Sequence, residues 1–207
     1  MSKNTIITIG RQFGSGGYEI AKKLADKLNI SFYDKELLKK AAKESGLCEE
    51  VFHDFDEKPT SSFLYSLVMD PYSAMSFQSG NMEMPLNHKV FLAAFDTIKK
   101  LANEESCVFV GRCADYALEN YDNCINIFIY APMEQRIERV CERLQLKPDK
   151  AKDKIVRADK QRSSYYNYYT TKKWGAVGSY DICIDSSLLG VDGTVDFIID
   201  LIDRKNL

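Results

Sequence analysis

The chain is short of histidine, of net charge and of long apolar runs, and each shortage removes a class of function. Its two histidines, His53 and His88, share no metal-ligand spacing, so a structural zinc site is not expected. With 28 basic and 30 acidic side chains the net charge is −2, which gives no general attraction to nucleic acid polymers or anionic membranes. No run reaches the roughly eighteen apolar residues of a membrane span, and no charged segment followed by an apolar one opens the chain. The six cysteines (Cys48, Cys107, Cys113, Cys124, Cys141, Cys183) are scattered without a C-x-x-C pair, the pattern of reduced core thiols. These absences lead to the expectation of a cytoplasmic protein that acts on small molecules. Its 207 residues suit one α/β domain with a small insertion.

The most informative stretch that is present runs TIITIGRQFGSGGYEIAKKLA, residues 5–25. A β-branched apolar run enters a glycine-rich turn and opens directly onto an amphipathic segment. Gly14, Gly16 and Gly17 let the backbone approach a ligand, and the helix that follows points unpaired N–H groups and its positive dipole end at an anion. The expected ligand is a nucleotide or another phosphate ester, held by residues 14–18, Gly14, Ser15, Gly16, Gly17 and Tyr18. Against the phosphate-loop pattern G-x-x-x-x-G-K-[ST], Gly16 takes the second glycine, but Arg11 replaces the first, Gly17 the lysine and Tyr18 the hydroxyl residue. The backbone nest survives with Arg11 as a cation at its mouth. The missing charge must come from arginines, and the metal ligand stays unassigned, with Ser15 a candidate. A dinucleotide-binding turn is the rival reading. It fails at its sixth position, Glu19, and no strand ending in a ribose-binding acid follows at the required distance.

Strands alternate with helices along the rest of the chain, predicting a parallel sheet covered on both faces. Residues 31–34 read as a short strand, with Asp34 placed to cap a helix over 35–46. Residues 53–87, with Pro59, Pro71 and Pro85, show no sustained period and read as an irregular insertion or lid. A helix follows from Val90 to Leu101, then a buried strand from Cys107 to Val110 that stops at Gly111-Arg112, which puts Arg112 at the ligand-binding edge of the sheet. The strand NIFIY leads through Ala131-Pro132 into a helix carrying Arg136, Arg139 and Arg143 on one side. A second helix, 148–162, carries Arg157, Asp159, Lys160 and Arg162; Arg143 and Lys160 read as solvated. The aromatic run at 163–169, with Trp174 beyond it, reads as a packed hinge or ligand-closing segment rather than a base-stacking platform. YDICID and VDFIIDLI give the last strand and helix.

These segments together resemble the cytidylate kinase-like proteins among the nucleoside monophosphate kinases. The resemblance rests on the glycine-rich stretch, FYDKELL, FVGRCADYAL, IFIYAPMEQRIERV, the R-x-D-x-x-R of Arg157, Asp159 and Arg162, and YDICIDSS. It implies a P-loop NTPase-type parallel sheet flanked by helices, with ATP and Mg²⁺ serving transfer of a γ-phosphoryl group to a monophosphate such as CMP. One kinase-like domain over 1–207 is expected, with its core at 1–34, 90–135 and 178–207, an insertion at about 45–90 and a lid at about 136–175. By the same resemblance, residues 14–17 hold donor phosphates, Arg136 and Arg139 lie on the donor side, and Arg112, Asp34, Asp159 and Arg162 meet the acceptor. Arg11, Arg112, Arg157 and Arg162 are the candidates for charge neutralisation during transfer. Two other readings stay open, a nucleotide-binding sensor or partner protein that lost catalysis with its lysine, and a kinase of another small molecule.

Overall fold

The structure, a computed structural model, describes residues 4–34 and 86–205. The helix expected at 35–46 and the irregular stretch up to residue 85 lie outside the described residues. Strand β1 (Ile6–Arg11) leads through the glycine turn into α1 (Gly17–Leu28), which reverses at Asn29 in left-handed geometry, φ 51°, before β2 (Ser31–Tyr33). Helix α2 (Leu86–Glu104) precedes β3 (Cys107–Val110) and the short α3 (Ala114–Ala117). Next come β4 (Cys124–Tyr130), α4 (Met133–Leu144) and α5 (Pro148–Tyr169), then β5 (Ile182–Asp185) and α6 (Gly190–Lys205).

The five strands are parallel in the order β2-β3-β1-β4-β5. Two-residue alternation sorts β1 between two cores. Ile7 and Ile9 face α1 and α6, where they join Ile20, Leu24, Val195, Ile198 and Ile202. Ile6 faces the opposite layer, with Ile98 and Leu101 of α2, Phe109 and Leu118. Each such fully buried aliphatic side chain stabilises the fold by about 1.5–3 kcal/mol. On that second face Thr8 donates its hydroxyl hydrogen to Asn126 Oδ1 at 2.7 Å, which satisfies two polar groups inside the sheet.

The order of the strands fixes where a ligand can go. The connection from β1 runs toward the β2 edge, while that from β4 runs toward β5, so a crevice opens beyond the carboxyl end of β1. The strands read from the sequence are present, with β4 beginning two residues earlier and β5 two residues later than expected. Two differences stand out: α2 begins at Leu86, inside the stretch read as irregular, and α5 runs on beyond its expected end. The α5 helix does not stop at residue 162 but continues through the aromatic run, so residues 163–169 are its last turns. Tyr166 is the buried side chain of that last stretch and fastens it to the sheet layer, as described below. No helix among the described residues is long and apolar enough to cross a membrane.

Candidate functional site

Beyond β1 the chain makes a compact loop. Gln12 N–H donates to Ile129 O at 3.0 Å, and Gly14 and Gly16 turn the backbone at φ 83° and 81°. A Cβ on Gly14 would lie 3.0 Å from the backbone oxygen of Arg136, so neither the backbone angle nor the space admits a side chain there. Helix α1 begins at Gly17, and its first-turn N–H groups have no acceptor inside the helix. Ser15 is buried beneath this turn. Its hydroxyl lies 3.0 Å from Gln12 O and 3.2 Å from Ile129 O and accepts from Gly17 N–H at 3.3 Å. The hydroxyl is committed to the loop's own backbone, so the structure does not present it as a metal ligand. Tyr18 is exposed and packs edge-on against Phe32, with ring centres 5.6 Å apart.

Arg11 leaves the end of β1 beneath this loop. A Cβ on Gly17 would sit 2.6 Å from Arg11 Cβ, and one on Gly111 would sit 2.1 Å from Arg11 Nη1. The stem therefore occupies the space beside Gly17 and the head the space over Gly111. Asp34 is the carboxylate near it, 3.9 Å from Nη2, and Arg11 Nε is buried without a hydrogen-bond partner. Burial, then the adjacent charge of Arg162, lowers the Arg11 guanidinium to about 9. Arg112 adds to this repulsion, and burial also lowers Arg162. Three arginines thus crowd one place, with Asp34 as counter-charge and Asp159 a further one beside Arg162, an arrangement suited to an anion.

Two cavities meet there. The larger, about 680 Å³, lies over the glycine loop and is lined by Gly14, Gly16, Gly17 and Tyr18 with Arg139 and Arg143. The smaller, about 330 Å³, lies over the ends of β1 and β3 and is lined by Arg112, Asp115, Tyr165, Tyr166, Trp174 and Tyr180. Arg11, Phe13, Asp34 and Arg162 line both. Of the residues expected from the sequence, the glycine loop, Tyr18, Arg11, Asp34, Arg112, Arg139 and Arg162 are brought together. Arg139 places Nη1 where a Cβ of Gly16 would stand, 2.4 Å away, and so lies directly over the start of α1. Arg143, read as a solvated charge, lines the larger cavity with its guanidinium 5.3 Å from the Phe13 ring centre. Arg162 approaches the same ring at 5.5 Å.

Three expected residues are placed elsewhere. Arg136 Nη1 pairs with Asp159 Oδ2 at 2.6 Å, and Asp159 Oδ1 accepts from Phe13 N–H at 2.7 Å. Both side chains are largely buried, each meets the other's need for a counter-charge, and neither lines either of these two cavities. They clamp the loop to α4 and α5 from behind. Arg157 is exposed and outside both linings. Helical geometry explains it: Ala158, Gln161, Arg162 and Tyr165 form the face of α5 turned to the smaller cavity, and residue 157 points about 140° away from residue 162. Arg162 itself also donates to Arg11 O at 3.0 Å, which ties α5 to the strand end.

The smaller cavity contains groups the sequence reading missed. Asp115 is buried and accepts from Tyr166 Oη–H at 2.5 Å; burial raises its carboxyl, against the hydrogen bond from Tyr166. Tyr180 Oη is buried with no hydrogen-bond partner. The backbone entering this region is strained, since Gly111, Arg112 and Cys113 follow one another at φ 75°, 58° and 56°. A non-glycine residue in this conformation costs roughly 1–2 kcal/mol, and the turn holds Arg112 at the cavity wall. Asp115, Tyr166 and Tyr180 stand far apart in the sequence and share no motif that would mark them in advance; three-dimensional proximity alone unites them.

A cavity over a glycine loop, a second over the next strand end and arginines between them suit the handling of a phosphate group. A cytidylate kinase from Methanocaldococcus jannaschii is 24% identical over 203 residues, covering 96% of this chain and 98% of its own. A solved structure of an uncharacterized protein from Eubacterium ventriosum matches with a TM-score of 0.72 at 33% identity, covering 97% of this chain and 99% of that one. The shikimate kinase of Acinetobacter baumannii, solved with shikimate, matches at a TM-score of 0.52 and 14% identity over 100% and 97% of the two chains, a likeness of fold alone. That fold is the P-loop NTPase fold, with its parallel sheet flanked by helices. Residues 6–188 match the cytidylate kinase-like family, and with nearly the whole site inside that span the chain belongs to this family of kinase-like proteins.

Proposed function

We propose that the protein transfers the γ-phosphoryl group of ATP to a small anionic acceptor, with a nucleoside monophosphate such as CMP as the first candidate. The observation that carries this reading is the pair of cavities sharing Arg11 and Arg162, which allows a donor and an acceptor to meet across a cationic wall. On the donor side the N–H groups at the start of α1 and the turn at residues 14–17 bind phosphate oxygens, with Arg139 and Arg143 beside them. On the acceptor side Arg112 and Arg162 hold the anionic group, while Asp115, Tyr166 and Trp174 line the space for the rest of the molecule. Mg²⁺, carried in by the donor phosphates, would supply further charge neutralisation there, since no group of His, Cys, Asp and Glu among the described residues forms a metal site of its own.

This chain's part in the chemistry is positioning and electrostatics. The three guanidiniums stabilise charge on the transferred group, and no side chain has to remove a proton from an acceptor whose nucleophile is already a phosphate oxyanion. A second reading, a nucleotide-binding sensor, draws on the glycine in place of the loop lysine at position 17, on the commitment of the Ser15 hydroxyl to the backbone and on Tyr18 in place of a serine or threonine. A coupled assay for ADP formation separates the two. CMP and other nucleoside monophosphates are offered with Mg²⁺ and ATP, and acceptor-dependent ADP is expected with at least one. ATP binding without acceptor-dependent ADP from any of them would replace the transferase reading with the sensor. The protein's partners in this proposal are small nucleotides, with neither nucleic acid polymer nor membrane.

A further inference from the structure

Along the pattern G-x-x-x-x-G-K-[ST] the first glycine falls at position 11 and the lysine at position 17. This chain has arginine at 11 and glycine at 17. The glycine and the cation have exchanged places. The structure shows that the two changes depend on each other, because a Cβ on Gly17 would lie 2.6 Å from Arg11 Cβ and 3.2 Å from both Arg11 Cγ and Ile129 Cβ. Those are stem and strand atoms that cannot swing aside. Any side chain at 17 therefore displaces Arg11, and the arginine excludes the ordinary lysine.

The course of Arg11 beyond that contact differs from that of a lysine on the helix start. Its head passes over Gly111, where a Cβ would come 2.1 Å from Nη1, and so reaches the end of β3 and the smaller cavity while the residue still lines the larger one. Among the described residues its surroundings hold more positive than negative charge. Asp34 stands at 3.9 Å, Nε is buried and unpartnered, and Arg112 and Arg162 add charge of the same sign.

Resting on the phosphotransferase reading above, we infer that Arg11 is the transposed loop cation, serving both cavities from the strand end. Gly17 and Gly111 are the two vacancies that admit its stem and its head. One consequence concerns the substrate. A cation shared between the cavities favours an acceptor whose anionic group lies next to the donor phosphates, and it gives no such advantage to a neutral alcohol.

The test is a double-mutant cycle of Arg11→Gly, Gly17→Lys and the two combined, with calorimetric Kd for ATP and for tripolyphosphate, and kcat and KM for whichever acceptor is turned over. Arg11→Gly is expected to weaken tripolyphosphate by roughly 10- to 100-fold, the usual range for one hydrogen-bonded charge. Gly17→Lys alone is expected to weaken it as well, although it adds a positive charge. The combination restores the ordinary order of glycine and lysine and is expected to regain about tenfold or more in donor affinity over Arg11→Gly, while acceptor KM stays raised. Wild-type affinity in Arg11→Gly, or tighter binding in Gly17→Lys alone, would overturn the inference, and so would a combined variant no better than Arg11→Gly. Should Arg11→Gly fail to fold, Arg11→Lys and Gly17→Ala carry the same decision, each expected to weaken tripolyphosphate. A wild-type chain that binds ATP but phosphorylates no acceptor defeats the transferase reading alone, because the binding measurements still decide the role of Arg11.

Discussion

The two cavities meet at Arg11 but are built by opposite means. The larger is made of backbone: three glycines, the start of a helix and partly exposed charges on α4. The smaller is made of side chains, with Asp115 and Tyr166 buried and hydrogen-bonded to each other and the Tyr180 hydroxyl buried near them. Backbone N–H groups recognise what all nucleoside triphosphates have in common, whereas a wall of buried hydroxyl, carboxyl and aromatic groups discriminates among molecules of similar charge. On this contrast, damage to the first cavity abolishes binding and damage to the second alters choice.

The largest effect is expected at the loop. Gly16→Val puts a branched side chain at φ 81° into the space held by Arg139 Nη1, and should lower ATP and tripolyphosphate affinity by roughly 10³-fold or more through loss of several charged hydrogen bonds. Calorimetry on the folded variant measures this, and an unchanged Kd would remove the glycine loop from the site. Next come Arg112→Lys and Arg162→Lys. Each replaces a planar fork by a point charge and should lower kcat by about 10²- to 10³-fold with a much smaller change in thermal stability. Retention of kcat by both would make them structural arginines and dissolve the contrast on its catalytic side.

A subtler effect belongs to Asp115. Its folded-state carboxyl is raised above the ordinary 3.8, so the stability linked to it is fully present below that value and is lost as pH rises through the folded value. Asp115→Asn has no such loss and can still accept the Tyr166 hydroxyl. Its unfolding midpoint relative to wild type should therefore rise as the pH climbs above the ordinary carboxyl value of 3.8. A difference that stays flat or falls would contradict the assignment of a burial-raised carboxyl. The smallest effect is expected from Arg157→Ala, which lies outside both cavities and should keep kcat within about twofold of wild type, as surface changes usually do. A steady-state assay that finds a large loss would bring α5's outer face back into the reaction.

Most of the sheet was legible because its signals are local. Ile6, Ile7 and Ile9 announce a buried strand, residues 14–17 announce the turn, and the stop at Gly111-Arg112 announces a sheet edge. The arginines were legible as residue types but not as partners. Arg136 and Arg139 stand one turn apart on the same helix, yet the first is buried against Asp159 and the second reaches over Gly16. That difference comes from α5 packing on α4, which no periodicity within either helix encodes. Asp115 was invisible for a similar reason, since its meaning depends on Tyr166, 51 residues later. The end of α5 was misjudged because a tyrosine-rich run has modest helix propensity, and contacts of Tyr166 and the 4.2 Å stacking of Phe91 on Tyr169 outweigh it.

The left-handed run at 111–113 sets the interests of the fold against those of the site. Glycine at 112 would relax the backbone, so Arg112→Gly is expected to melt about 2–4 °C above Arg112→Ala, a difference that scanning calorimetry resolves. A laboratory selection for heat resistance alone would accordingly drift toward glycine at this position and discard the arginine that lines the smaller cavity, yielding a hardier protein with an emptied binding wall.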